Sequence, residues 1–405
     1  MSFRAICLCL LVTVPANLGA CAGDEPGVVS GGNAGTSLAG SGGSDPSGAG
    51  TAGAGVSGAQ AQGPGGASGG GGSGVGGSGA GGNVASSPFE PLEADDMLMV
   101  DAKEGYGSAL FERSDGAWVV VFERFSFETA VESSLRVAVS VDHQTFEPAM
   151  PLPGVPSVPF AAGPVRLVLG GQSYLYFSGG TYGGAVAGHR LTFDGTSFSA
   201  LATVQVDEPS LDAMGWPRPI EGLDGRLVLA YEHYPLGKLR VALGGTDGLQ
   251  FGAPTSLGSG VQGRLGSFAT GQLVYSNQDG KEGPQKAFVR LSSDGLTWSA
   301  PAALSASSNV HDTHPFRRSD GGVDVYYIAA GDEGFAIWRR AVSPDGQLGV
   351  EQRVTAATAG SFTQPHPHRL EDGRIVLTFA EQLTSAEDTR TRAAVLSTDA
   401  PTAPL

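Results

Sequence analysis

The chain has 405 residues, 64 of them Gly, and a formal charge of −16 from 24 basic and 40 acidic side chains. No basic cluster stands out, which disfavours a nucleic-acid partner. No apolar run of membrane-spanning length follows the N-terminus. The glycines are unevenly placed: 26 of the 66 residues from Ala22 to Ser87 are Gly, and that stretch has no Lys or Arg. Such a composition buries too little apolar surface to offset its ordering entropy, so residues 21–87 are expected to form a disordered tether. Residues 88–405 are long enough for one large core.

In chain order, the first element is an export signal over residues 1–20. Arg4 supplies the positive end, Ala5 to Val14 is apolar, and Leu18-Gly19-Ala20-Cys21 closes the segment. That tetrapeptide resembles the bacterial lipobox, in which the Cys becomes the first mature residue and carries the lipid. The resemblance implies lipidation at Cys21, the one cysteine left after removal of Cys7 and Cys9. Ala22, in place of Asp, implies sorting to the outer membrane of a Gram-negative cell. The tether then has an r.m.s. span of roughly 45 Å, enough to hold a domain off the bilayer.

Beyond the tether a short turn recurs around Asp142, Asp194, Asp247, Asp294, Asp345 and Asp399, at spacings of 52, 53, 47, 51 and 54 residues. A strand-like run precedes it, such as Leu135–Ser140 or Leu239–Leu243. Further upstream sits a second turn, usually Asp-Gly, followed by an apolar run: Trp118–Phe122, Arg226–Tyr231, Val323–Tyr327, Arg374–Phe379. Four short antiparallel strands per repeat of this length spell a propeller blade. The prediction is all-β: a six-bladed β-propeller of four-stranded antiparallel blades. The segment Phe89–Leu92, which matches Phe146-Glu147-Pro148, is expected to close the last blade as its fourth strand.

The Asp turns resemble the Asp-boxes of bacterial sialidases and related repeat proteins, over the whole region 88–405. That resemblance implies a six-bladed propeller; the shortened turns also resemble those of five-bladed furanosidase propellers. Departures are visible. Ala109-Leu110 stands where sialidases have Arg-Ile-Pro, only two of three expected arginines are present, and no Tyr among Tyr231, Tyr234, Tyr275 and Tyr327 is singled out as a nucleophile.

A Pro recurs ahead of the Asp-Gly turns, at Pro164, Pro219, Pro315 and Pro367. The residue before it is read as opening the innermost strand, which places Ala109, Gly163, Arg218, Arg264, His314 and His366 around the funnel mouth. Arg218 and Arg264 are expected to be partly accessible and to clamp an acidic group. Trp216, Arg317 and Arg369, close in sequence, complete the candidate ligand-binding set. Glu123 and Glu232, at equivalent places near the end of the second strand, are the candidate catalytic pair. His311 with His314, and His366 with His368, are candidate metal pairs. His366 and His368 are expected on different sides of their strand, and no metal or cofactor is assigned. The function expected is a monomeric outer-membrane lipoprotein whose funnel binds a glycan or protein ligand. The alternative is a sialidase-like glycoside hydrolase, or a polysaccharide lyase, acting on acidic sugars.

Overall fold

The computed structural model describes residues 90–396, except 104, 127–131, 156–157, 182–183, 223–224, 234–235, 280–283, 308, 332–333 and 384–388. The export signal, Cys21, the tether and Asp399 lie outside the described residues.

Six four-stranded antiparallel sheets follow one another along the chain. Blade one is built from Gly105–Glu112, Trp118–Ser126, Glu132–Ser140 and Met150–Pro151. Blade two has Phe160–Leu169, Gln172–Gly180, Val186–Phe193 and Phe198–Thr203, tied to blade one by a single parallel bridge, Ser133 to Phe160. Blade three has Met214–Glu221, Leu227–His233, Lys238–Leu243 and Thr255–Ser259. Blade four has Val261–Ser267, Leu273–Gln278, Ala287–Ser292 and Ala302–Ala303, and blade five Val310–Arg317, Val323–Gly331, Gly334–Val342 and Gln352–Arg353. Blade six has Ser361–Arg369, Ile375–Gln382 and Thr389–Leu396, and its fourth strand is Leu98–Asp101 from the N-terminal side.

Second strands are buried on both faces. Every residue of Leu227–His233 and of Leu273–Gln278 is buried. They therefore open on continuous apolar runs, Leu227–Tyr231 and Leu273–Tyr275, rather than alternating ones, because each blade is covered on both sides, and their polar ends face the funnel level. The core is correspondingly divided among the blade interfaces. Phe111 and Phe177 belong to the cluster between blades one and two, Leu229 and Tyr176 to the next, and Val241 with Leu273 to the third. Val289 packs with Val325, Ile337 with Leu377, and Trp118 with Val376 across the remaining three, which closes the circle.

The Asp turns join third to fourth strands. Asp194 Oδ1 accepts the Thr196 and Ser197 N–H groups at 2.9 and 2.8 Å, and Asp294 Oδ1 those of Leu296 and Thr297 at 2.8 and 2.7 Å. Those N–H donors lower the Asp294 carboxyl to about 2. The next residue needs positive φ, supplied by Gly195 and Gly295; the first copy places His143 there at φ 59°. The His143 ring stacks on Trp118 at 4.4 Å and its Nε2 lies 2.8 Å from the Gly116 carbonyl oxygen.

Closure uses a different stretch from the one expected. Phe89 lies outside the described residues, and Leu92 bridges Thr355, just past the fourth strand of blade five. A short 3-10 turn, Ala94–Asp96, then redirects the chain, and Leu98–Asp101 forms the ladder to Thr389–Leu396. The Phe146-Glu147-Pro148 match explains the offset, since that motif also precedes its blade's fourth strand.

Candidate active site in the central funnel

Each inner strand forms a ladder with one neighbour in its own blade, and apart from the single Phe160–Ser133 bridge its other edge is left to the channel. Proline is tolerated on such an edge because no ladder bond is lost. Each inner strand also carries a bulge: one extra residue, held at positive φ. These residues are Gly107, Gly163, Trp216, Gln262, Asp312 and Gln364, with φ of 32°, 63°, 47°, 55°, 53° and 52°.

A side-chain oxygen of the preceding blade accepts the N–H of every bulge residue. Glu123 Oε2 takes Gly163 N–H at 3.0 Å, Ser178 Oγ takes Trp216 N–H at 2.6 Å, and Glu232 Oε1 takes Gln262 N–H. Gln278 Oε1 takes Asp312 N–H at 3.1 Å, Asp312 Oδ2 takes Gln364 N–H at 3.2 Å, and Gln364 Oε1 takes Gly107 N–H. The six contacts form a closed ring. Glu123, Ser178, Glu232 and Gln278 hold one equivalent position in their second strands. Blades five and six have Ile328 and Ala380 there. The bulge side chains Asp312 and Gln364 supply the missing acceptors, so no bulge N–H is stranded.

Register shows which residues share a level of the funnel. Two places after the bulge stand Ala109, Val165, Arg218, Arg264, His314 and His366, opposite Val121, Tyr176, Ala230, Ser276, Tyr326 and Thr378. Five of these are the residues expected; in blade two the ring residue is Val165, not Gly163. Pro164 occupies the position of Pro217 and Pro365, because the bulge shifts the count. The ring residues also lie four to six residues into their strands rather than opening them. This depth buries both arginines, and Arg218 is 7 % and Arg264 4 % exposed. The expectation of partly accessible guanidinium groups is not met.

A cavity of about 100 Å³ occupies the funnel, and Trp216, Arg218, Arg264, His366, Glu123 and Glu232 all line it. Gln262, Gln364, Tyr106, Phe125 and Phe160 join them. Gly163 is required twice: for its φ, and because a Cβ there would lie 2.3 Å from Trp216 Cδ1. Gln262 and Gln364 were missed by sequence reasoning. For Gln364 the signal was the Pro that follows it, as in Trp216-Pro217; Gln262, followed by Gly263, carried none.

Other candidates lie elsewhere. His314 sits behind Arg264, whose Nη1 is 2.6 Å from His314 Nδ1. Arg317 and Arg369 belong to the other end of the inner strands, three residues further along, or roughly 10 Å. Arg369 donates to the carbonyl oxygens of Gly373 and Arg317 at 3.2 and 3.1 Å. His311 lies against Asp312, Nδ1 to Oδ2 3.3 Å. His366 and His368 share a face, ring centres 6.4 Å apart, as residues two apart on a strand do. Among the described residues no three His, Cys, Asp or Glu side chains gather as a metal site. Tyr234 lies outside the described residues. Tyr231 donates to Glu208, and Tyr275 and Tyr327 are fully buried; none of the three lines the cavity.

Electrostatics follow from burial. Burial raises the Glu123 carboxyl against the opposing pull of Gly163, Ser133 and Arg218. The Asp312 carboxyl is held low: burial works against it, but His311, Thr363 and Arg264 outweigh burial. Burial, then Arg264, pushes His314 and His366 well below the usual imidazole range, and burial with Arg166 and Arg264 pushes His368 to about 3. In the unfolded chain these imidazoles titrate near 6.5. The unfolded chain therefore binds more protons between the two values. Stability from this source is complete above about pH 6.5 and is lost progressively toward about pH 3. The melting temperature is expected to be roughly 5–10 °C lower at pH 5.0 than at pH 7.5. Replacing His366 and His368 with Gln should remove part of that drop, and equal melting at both pH values would contradict the assignment.

No family model and no curated protein matches the sequence. Solved structures do. A protein of unknown function from Dyadobacter fermentans superposes with TM-score 0.60 at 16 % identity, covering 76 % of this chain and 98 % of its own. The fold is a sialidase-like propeller. The NanB sialidase of Streptococcus pneumoniae gives TM-score 0.54 at 10 % identity, covering 78 % and 71 %. An α-L-arabinofuranosidase from Fusarium graminearum gives 0.55 at 12 %, covering 75 % and 98 %. At these identities the likeness is one of fold, which does not carry function by itself.

Proposed function

We propose that this chain is a lipid-anchored envelope protein whose propeller funnel binds a sugar residue of a glycan. Trp216 carries the reading. Its residue sits at φ 47°, a conformation that costs a bulky side chain on the order of 1–3 kcal/mol. The Ser178 contact holds it there, and the indole lies over Gly163 in a cavity lined by Arg, Glu and Gln side chains and by Tyr106, Phe125 and Phe160. A flat apolar face among convergent polar groups suits a sugar ring, with its apolar C–H surface and its hydroxyls.

A second reading, glycoside hydrolysis, is supported by two carboxylates in unlike settings at one cavity: Glu123, raised by burial, and Glu232, whose charge acts on Arg218. The glycosidases among the fold relatives are in keeping with it. A glycan panel separates the two. Saturable binding without release of reducing sugar is the expected result. Turnover abolished by both Glu123→Gln and Glu232→Gln would establish hydrolysis instead, and failure to bind any glycan would contradict both.

The anchor rests on Leu18-Gly19-Ala20-Cys21 and the Gly-rich segment after it. Cys21→Ser is expected to move the protein from the membrane pellet to the soluble fraction. Continued pelleting of the Ser variant would contradict the anchor.

A further inference from the structure

The two guanidinium groups at the cavity are outnumbered by carboxylates. Arg218, Arg264, Glu123 and Glu232 line it, and both glutamates act on Arg218. Behind them Asp312, 3 % exposed, acts on both guanidinium groups. Both arginines are also engaged by hydrogen bonds. Arg218 Nη1 donates to the Gly263 carbonyl oxygen at 3.1 Å. Arg264 Nη1 is 2.6 Å from His314 Nδ1, and its Nη2 is 2.9 Å from His366 Nε2. The ring positions of blades one and two are Ala109 and Val165, so no further cation stands at this level on that side. The cavity does offer acceptors: Gln262 Oε1 is buried and has no hydrogen-bond partner among the described residues.

We propose that the funnel selects an uncharged sugar and rejects its carboxylated counterpart, since Arg218 and Arg264 are matched by Glu123, Glu232 and Asp312. The inference rests on reading the funnel as a carbohydrate site. A hydroxyl can donate to Gln262 Oε1. A carboxylate placed there would meet an acceptor and two lining carboxylates, and it would lose its hydration with no unmatched cation to replace it. Discrimination then comes from a repulsive element, not from a tighter fit to the accepted ligand. This departs from the acidic-group clamp expected of Arg218 and Arg264.

The test is calorimetric titration of the purified protein with matched pairs of neutral and carboxylated glycosides: pentofuranosides, hexopyranosides with their uronides, and a sialoside. The neutral member of a pair is expected to bind at least roughly tenfold more tightly. Glu232→Gln keeps an oxygen for Gln262 N–H while removing one negative charge, and should improve binding of the acidic member by roughly tenfold. Acidic glycosides binding the unaltered protein as well as or better than neutral ones would overturn the inference and leave the carbohydrate site standing. Binding of neither class would overturn both. A Glu232→Gln protein with an unchanged melting temperature and unchanged acidic-sugar affinity would overturn the electrostatic explanation.

Discussion

Asp312→Ala is expected to lower folding stability by about 3–5 kcal/mol, the largest effect of any single funnel substitution. The Asp312 carboxylate accepts from Gln364 N–H at 3.2 Å and from Thr363 Oγ1, lies 3.3 Å from His311 Nδ1, and balances Arg264. Alanine leaves the Gln364 N–H without its acceptor and a buried guanidinium less compensated. It also places a Cβ-bearing residue without a polar side chain at φ 53°, where Asp is better tolerated. Asp312→Gly relieves that backbone cost and should be about 1 kcal/mol less harmful than Ala. Asp312→Asn keeps one acceptor oxygen and should fall between wild type and Ala. Urea unfolding measures all three. A stability of Asp312→Ala within about 1 kcal/mol of wild type would show that the ring of bulge contacts contributes little.

A chain beginning at residue 102 is expected to melt far lower than one beginning at residue 80, and to aggregate. It loses Leu92 and Met97 from the cluster between blades five and six, and Val100 from the cluster between six and one. Burial of three such side chains is worth on the order of 5 kcal/mol. It also loses the Asp101–Arg124 ion pair and the ladder that pairs Leu98 with Ala393 and Met99 with Arg392. The strand Thr389–Leu396 then becomes an open edge. Light scattering and thermal melts of the two chains give the answer. Equal solubility and equal melting would mean that Leu98–Asp101 is not what closes the propeller.

Blade architecture was legible because local chemistry dictates it. Asp at a turn, Gly at positive φ after it, and doubly buried second strands such as Leu227–His233 all leave marks in neighbouring residues. The ring was legible for Arg218, Arg264, His314 and His366 because proline marks an inner strand with a free edge. Blade two was misread because Pro164 stands in the alternate register that the bulge creates. The bulges leave a patchier mark: a Pro follows Gly163, Trp216 and Gln364 but not Gln262 or Asp312. Trp216, Gln262, Asp312 and Gln364 take positive φ without being Gly, held by contacts from another blade some 30 to 50 residues away in sequence. Long-range contacts of that kind, and the burial of Arg218 and Arg264 at mid-depth, are products of ring closure. Strand extension separates Arg317 and Arg369 from the ring: three residues in sequence become roughly 10 Å along the channel.

Ligand is proposed to bind in the funnel cavity, with Trp216 on its wall. Tryptophan emission during titration with the neutral glycoside that binds most tightly tests it directly, because of the four tryptophans only Trp216 lines the cavity, and Trp118, Trp298 and Trp338 do not. A saturable emission change is expected in the wild-type protein and none in Trp216→Phe, at an unaltered melting temperature. A change of the same size and midpoint in Trp216→Phe would contradict it and place the ligand elsewhere.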